Sequence, residues 1–225
     1  MLLELARLGR DLVRLPVSVA SEIVFDRRMG VRTRGLRFHE DELAPRSVGG
    51  DPTRYEAVGL SGWRRVHSAI PIDPGTATFV DLGTGRGRPL ILAAEMGFRR
   101  VVGVELDGTL VREAEANVRG WRARRGHRQK PGQVVDVVLG DAATYTPPDG
   151  PVVMWLFNPF GPVTLRYVLR NVCDTPRSGE LFIAYNNAFH RSVFEEFPRL
   201  ATWAEGKRWA VYRLGPLGQQ PSGTA

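Results

Sequence analysis

The stretch Phe79-Val80-Asp81-Leu82-Gly83-Thr84-Gly85-Arg86-Gly87-Arg88-Pro89 constrains the fold of this chain more than any other. An apolar run ends on Asp81, a glycine-dense turn follows, and Pro89 suits the first turn of a helix. A second apolar run, Val101 to Val104, then delivers an acid, Glu105, 24 residues after Asp81. Strand, loop, helix, strand and acid in this order predict a βαβ unit built to hold a nucleoside. Glycines at 83, 85 and 87 remove Cβ atoms where the backbone must turn sharply and come close to a ligand. A carboxylate at the end of the second strand can accept hydrogen bonds from both hydroxyls of a ribose.

The rest of the chain extends this unit. Tyr55 to Ile70 reads as a helix closed by Pro71 and Asp73-Pro74-Gly75, and strand one runs from Ala77 to Asp81. A helix from about Gly87 to Met96 leads to strand two, Val101 to Glu105, and a second helix covers Gly108 to Trp121. Strands follow at Val134 to Leu139, Val152 to Phe157 and Leu181 to Tyr185, with helices at Pro162 to Val172 and His190 to Phe197. Two last strand-like runs, Ala201 to Glu205 and Trp209 to Leu214, close an antiparallel hairpin. The fold class is therefore α/β, with right-handed crossovers and a site at the carboxyl ends of the parallel strands.

Ahead of this domain, apolar residues at 2, 3, 5, 8, 12 and 15 with arginines between them predict an amphipathic helix over residues 1 to about 20. It reads as a packing element, with a membrane-surface or dimer contact as the other use of such a helix. Residues 26 to 52 are irregular in composition and end on the breaker Gly49-Gly50-Asp51-Pro52. The expected division is a helix and cap segment at 1–52 and a ligand-binding domain at 53–225, since 225 residues with 43% hydrophobic content hold one α/β domain and a short appendage.

These motifs resemble those of the class I S-adenosylmethionine (SAM) dependent methyltransferases over roughly residues 53 to 214. The resemblance implies a Rossmann-like seven-stranded methyltransferase sheet flanked by helices, with a short helical N-terminal cap. It implies that Asp81, Gly83, Thr84, Gly85 and Gly87 hold the methionine moiety of SAM. Glu105, followed by Leu106, would hold the ribose, and Asp141-Ala142, after strand three, the adenine edge. The fourth motif of the nitrogen-methylating members matches Asn158-Pro159-Phe160-Gly161, with one proline fewer. There the Asn158 side-chain oxygen and the Pro159 carbonyl would accept N–H bonds from the substrate, and Phe160 would pack on its face. Asp141 also reads as a helix cap, and Asn158 to Gly161 as a turn. The competing ligand is a dinucleotide. The register Gly83, Gly85, Gly87 departs from Gly-x-Gly-x-x-Gly, and Asp81 suits an ammonium group and would repel a pyrophosphate, so SAM is the expected cofactor.

A narrower resemblance is to compact bacterial methyltransferases that share Phe25 to Thr33, Val80 to Arg88 and Phe157 to Phe160, and whose SAM loop is similar to that of the non-SET histone-lysine methyltransferases. A short cap and the lack of a recognisable RNA-binding module favour a small-molecule acceptor in secondary metabolism, with nitrogen as the methylated atom by the resemblance of the fourth motif. A protein lysine or a nucleic acid is the alternative acceptor. An oxygen acceptor would need a base, for which His190 is the best-placed histidine, ahead of His39, His67 and His127. Asn186 and Asn187 are candidates for the acceptor pocket, and Tyr55 for closing over the methionine end of SAM. Arg86 and Arg88 read equally as contacts to the SAM carboxylate or as solvated side chains. A SAM-binding interaction protein without catalysis is the non-enzyme alternative.

Charge and composition bound these readings. The formal net charge is +7, which favours polyanions, yet 29 of the 31 basic residues are arginine, a bias of high-GC genomes rather than a nucleic-acid signature. The densest basic run, Arg119 to Lys130, is expected at the end of a helix and in a solvated connection, with a polyanion contact as the alternative. No apolar run reaches the roughly 20 residues needed to span a bilayer. Charges at 4, 7, 10, 11 and 14 interrupt the N-terminus where a secretory signal would be apolar, so a cytoplasmic location is expected. Cys173, the single cysteine, is expected to be buried on the helix after strand four, and no metal site is predicted.

Overall fold

The computed structural model describes residues 17–37, 46–53, 55–125 and 128–215. Along the chain lie α1 (Val17–Met29), β1 (Leu36–Arg37), β2 (Tyr55–Glu56), α2 (Leu60–His67), β3 (Thr78–Leu82), α3 (Arg88–Met96), β4 (Arg100–Glu105) and α4 (Gly108–Arg125). Then come β5 (Val134–Leu139), β6 (Val152–Phe157), α5 (Pro162–Asp174), β7 (Leu181–Asn186), β8 (Leu200–Gly206) and β9 (Trp209–Leu214). The last seven strands form one sheet in the order β5-β4-β3-β6-β7-β9-β8. Strands β3 to β7 pair in parallel, and β9 runs antiparallel to both β7 and β8.

Strands covered on both faces need apolar residues at every position, not alternate ones. β6, Val-Val-Met-Trp-Leu-Phe, and β7 meet that demand and occupy the middle of the sheet. Successive β6 side chains then feed two cores. Val153 and Trp155 join Trp63, Phe79 and Trp121 under α2, α3 and α4. Val152, Met154 and Leu156 join Leu165, Leu169 and Val172 of α5 on the opposite face. The first core is aromatic at its centre, with Trp63 tilted against Trp155 at 4.6 Å and edge-on at 5.4 Å from Phe79. Cys173 is buried on α5, as expected. No helix among the described residues is long and apolar enough to cross a membrane.

Four expectations are corrected. The predicted helix over residues 1–20 falls largely outside the described residues. The described helix α1 runs on to Met29, into the stretch read as irregular, and stops where Gly30 takes a positive φ of 73°. The helix predicted from Tyr55 starts only at Leu60, because Gly59 is extended and Tyr55–Glu56 pair with Leu36–Arg37 instead. The helix predicted to end at Trp121 continues to Arg125, since Trp121 is buried with its indole N–H on Glu95 and Arg125 pairs with the same carboxylate. The basic run is thus partly structural: Arg122 donates to the Val135 carbonyl and Arg124 to that of Arg28. The segment from His190 forms a 3-10 turn, Arg191–Glu196, ended by Pro198.

The cap segment is tied into the sheet domain. Gly161, the N-cap of α5, has no side chain with which to hold the free N–H groups of the helix. Asp51 supplies the missing carboxylate, accepting from Val163 N (2.8 Å), Thr164 N (3.0 Å) and the Thr164 hydroxyl. Removing an N-cap carboxylate costs about 1–2 kcal/mol. Asp51→Ala is therefore expected to lower the unfolding free energy by that amount, read as a lower urea midpoint at unchanged slope. A variant as stable as the parent would show that α5 does not depend on this cap.

Candidate functional site

The loop between β3 and α3 is drawn back over the sheet edge by two bonds, from Gly83 N (2.9 Å) and Thr84 N (3.1 Å) to the Val104 carbonyl. Gly83, Gly85 and Gly87 all have positive φ. At Gly83 a Cβ would also overlap the Pro159 ring, so the first glycine loop and the fourth motif are in contact. Glu105, at the end of β4, is nearly buried and locks the turn: its Oε2 accepts from Gly85 N (2.8 Å) and its Oε1 from Asp107 N (3.0 Å). Burial pushes the Glu105 carboxyl up, against these backbone donors. Asp81 is buried and accepts from the Thr84 hydroxyl at 2.7 Å. Burial, opposed by that bond and reinforced by the charge of Glu105, pushes Asp81 up to about 7.

These residues line one cavity at the carboxyl edge of β3, β4, β5 and β6. Asp81, Gly83, Thr84, Glu105, Leu106, Asp141, Ala142, Pro159 and Phe160 all reach it. It encloses about 850 Å³ of space free of protein atoms, including its open mouth. Gly85 and Gly87 shape its loop without lining it. Its charged lining residues are the carboxylates of Glu56, Asp81, Glu105 and Asp141 and the guanidinium of Arg88. That set fits a cation that also offers hydroxyl donors, and it does not fit a pyrophosphate.

Asn158 stands outside this cavity, in an adjoining cleft with Pro52, Thr53, Glu56, Phe157, Asn187 and Phe189. Pro52, Thr53, Glu56 and Phe157 line both spaces and form their boundary. Asn158 has a left-handed backbone, φ 47°, as does Asn187 across the cleft, φ 55°. The acceptors expected to meet a substrate already have partners: Asn158 Oδ1 takes the Tyr185 hydroxyl (3.1 Å), and the Pro159 carbonyl takes Thr53 N (3.2 Å). Asp141 does act as a cap, its Oδ1 accepting from Ala143 N (2.9 Å) and its Oδ2 from Val48 N (2.6 Å).

Neither arginine of the loop is a freely solvated side chain. Arg88 is buried, donating through Nε to the Thr33 hydroxyl (2.7 Å) and through Nη1 to the Val58 carbonyl (2.9 Å). Its guanidinium lies 3.8 Å from Asp26, 3.6 Å from Glu22 and 5.7 Å from the centre of the Phe25 ring. Asp26 in turn accepts from Thr33 N (3.0 Å), the Thr33 hydroxyl (2.6 Å) and Arg34 Nε (3.3 Å). Arg86 pairs with Glu113 at 2.6 Å and donates to the Arg34 carbonyl. The Phe25 to Thr33 pattern is thus the strap that buries Arg88 against the cavity wall. Asn117 of α4 holds the same strap, accepting from Arg32 N and donating to the carbonyls of Arg32 and Arg86.

Sequence reasoning missed the wall formed by Ser47, Pro52, Thr53, Glu56, Ala57 and Val58. Its one visible signal was the Gly49-Gly50-Asp51-Pro52 breaker, which brings Pro52 into an isolated bridge with Phe160. His190 donates its backbone N–H to the Tyr185 hydroxyl, and it lines neither the cavity nor the cleft. His67 is packed between Trp63 and Phe98, and burial lowers its pKa. His39, His127 and the Tyr55 side chain lie outside the described residues. Asn186 is buried, and its Oδ1 accepts from Asn187 N. Among the described residues, no group of three His, Cys, Asp or Glu side chains is placed to hold a metal ion.

No family sequence profile matches the chain, and no curated protein matches it in sequence. Among solved structures, it is similar to an RNA methyltransferase from Salinibacter ruber in complex with S-adenosyl-L-homocysteine, at 19% identity and a TM-score of 0.48 over 74% of this chain and 97% of that one. It is similar to a TehB-like SAM-dependent methyltransferase from Corynebacterium glutamicum at 18% identity and a TM-score of 0.45, covering 69% of this chain and 87% of that one. A SAM-dependent methyltransferase from Thiobacillus denitrificans, also in complex with S-adenosyl-L-homocysteine, matches 56% of the chain at 18% identity and a TM-score of 0.39. That match spans about half of the Thiobacillus protein, 48%. By its own strand order, five parallel strands closed by an antiparallel hairpin, the chain has the Rossmann-like fold of the class I methyltransferases.

Proposed function

We propose that the chain is a SAM-dependent methyltransferase acting on a nitrogen of a small molecule. The observation that carries this reading is the cavity itself, in which the Asp81 loop, Glu105 and the turn after β5 meet the fourth motif at one sheet edge. Asp81 and the loop from Gly83 to Gly87 would hold the methionine end, and Glu105 the ribose. The Asp141 carboxylate is engaged on Ala143 N and Val48 N, so Leu106, Leu110 and Ala142 would supply the apolar adenine wall. SAM supplies a methyl group already activated on a sulfonium, which leaves the protein with positioning and the exclusion of water.

In this reading Asn158, Pro159 and Phe160 set the boundary between donor and acceptor. Their bonds to Tyr185, Thr53 and Pro52 make them a rigid frame. Nitrogen is favoured over oxygen because an amine that arrives neutral needs no base, and no histidine lines the cleft among the described residues. We assign the protein to the cytoplasm of a bacterium and to secondary metabolism; the arginine-rich composition and the single buried thiol support a high-GC source and a reducing compartment.

Glu105→Ala tests the assignment. A lost hydrogen bond to a carboxylate of this kind costs about 1.5–3 kcal/mol, so affinity for S-adenosylhomocysteine should fall about 10- to 150-fold by calorimetry. Unchanged affinity would remove the ribose role from Glu105 and the cavity from the reading.

A further inference from the structure

We infer that the cleft beside the cavity selects its acceptor as an ammonium ion carrying an apolar or aromatic body, and that Glu56 is the residue that recognises the charge; the docked ammonium gives one proton to solvent at the open cleft, so that the nitrogen meets the methyl group as a neutral amine with a free lone pair. The inference rests on the methyltransferase reading and deepens it. Glu56 lines both the cavity and the cleft, so its carboxylate stands at the boundary where donor and acceptor would meet. It is fixed there by the backbone, because Glu56 pairs with Leu36 across the β1–β2 ribbon. Its side chain is exposed and held in no ion pair among the described residues.

The rest of the lining agrees with a cation and disagrees with an anion. Two aromatic residues, Phe157 and Phe189, line the cleft, and Phe189 is 63% exposed. A carboxylate beside aromatic rings is the chemistry that binds ammonium groups, by charge and by cation–π attraction. Asn158 and Asn187 add neutral amide groups. In a chain with 29 arginines, no arginine or lysine lines this cleft among the described residues. A phosphate or carboxylate would meet Glu56 with no cation among the described residues of the cleft to offset it. The arginines collect elsewhere: Arg27, Arg32, Arg34 and Arg86 surround a separate hollow against α4. The sign of the charge therefore separates the acceptor cleft from the basic face, and it sets aside a nucleic acid as the occupant of the cleft.

The test uses the full-length protein saturated with S-adenosylhomocysteine and followed by side-chain amide resonances. Three probes of one shape are titrated: phenethylamine, phenethyl alcohol and phenylacetate. Phenethylamine is expected to shift the Asn158 and Asn187 amides with at least tenfold higher affinity than the alcohol, and phenylacetate to leave them unmoved. Glu56→Gln should remove the preference for the amine, each titration being made at saturating S-adenosylhomocysteine so that a change in its own affinity does not enter the comparison. Equal response to all three probes, no response to the amine, or an amine preference that survives Glu56→Gln overturns the inference. If S-adenosylhomocysteine itself fails to bind, the methyltransferase reading fails first, and the two failures are told apart in the same experiment.

Discussion

Replacing Arg88 with methionine is expected to destabilise the folded protein by about 3–5 kcal/mol, the usual cost of removing one partner from a buried ion pair. Arg88 sits at the start of α3 yet is only 1% exposed. Its charge is balanced by Asp26 and Glu22, and its Nε and Nη1 groups donate to Thr33 and Val58. Methionine would fill much of the volume but leave Asp26 buried beside Thr33 with only the half-exposed Arg34 guanidinium near it. The strap should then loosen first. Trypsin, cutting at Arg27, Arg28, Arg32 or Arg34, would cleave the variant much faster than the parent under native conditions. Urea denaturation measures the loss, and the double variant Arg88→Met with Asp26→Asn should recover part of it, since it no longer buries a carboxylate that has lost its buried guanidinium partner. A single variant that loses less than about 1 kcal/mol, with unchanged proteolysis, would show that the strap is held by its apolar contacts alone.

The second large effect concerns pH. The buried Asp81 carboxyl keeps its proton to about pH 7 in the folded protein, whereas an unfolded aspartate releases it near 3.9. Between those values the folded state binds more protons than the unfolded one. Stability contributed by this group is therefore complete below about pH 4 and is lost as pH rises toward 7, on the order of 4 kcal/mol in all. Asp81→Asn removes the titration. The variant is expected to be more stable than the parent at pH 8, with much of that advantage gone at pH 5, as read from urea midpoints at the two values. A parent and variant with parallel pH profiles would mean that Asp81 ionises normally. The same group should report on ligand binding. A cation placed against Asp81 favours its ionised form, so binding of S-adenosylhomocysteine at pH 6.5 should release protons in the parent and fewer in Asp81→Asn. Calorimetry in two buffers of different ionisation enthalpy measures the difference.

Much of the sheet is legible in the sequence. Val134–Leu139, Val152–Phe157 and Trp209–Leu214 have the predicted bounds because each is an apolar run closed by turn residues on both sides. The αL glycines of the loop are legible for the same reason, since few other residues occupy that backbone region. The parts that escaped depend on partners far away in the chain. Nothing near Arg88 marks it as buried; the residues that allow its burial, Asp26 and Thr33, lie more than 50 positions earlier. Glu56 was hidden by a helical reading of Tyr55 to Ile70, which the pairing of two short strands overrides. Asn158 and Pro159 were identified, but the sequence carries no sign that Tyr185 and Thr53 would take their acceptors. Side-chain chemistry is local, whereas the company a side chain keeps is set by topology.

The central claim is that one cavity, built by Asp81, the glycine loop and Glu105, binds a sulfonium nucleoside. Calorimetric titration of the intact protein with SAM, S-adenosylhomocysteine and NADH tests it most directly. Micromolar binding of the first two with no heat from NADH is the predicted result; binding of NADH alone would contradict the claim and assign the same sheet edge to a dinucleotide.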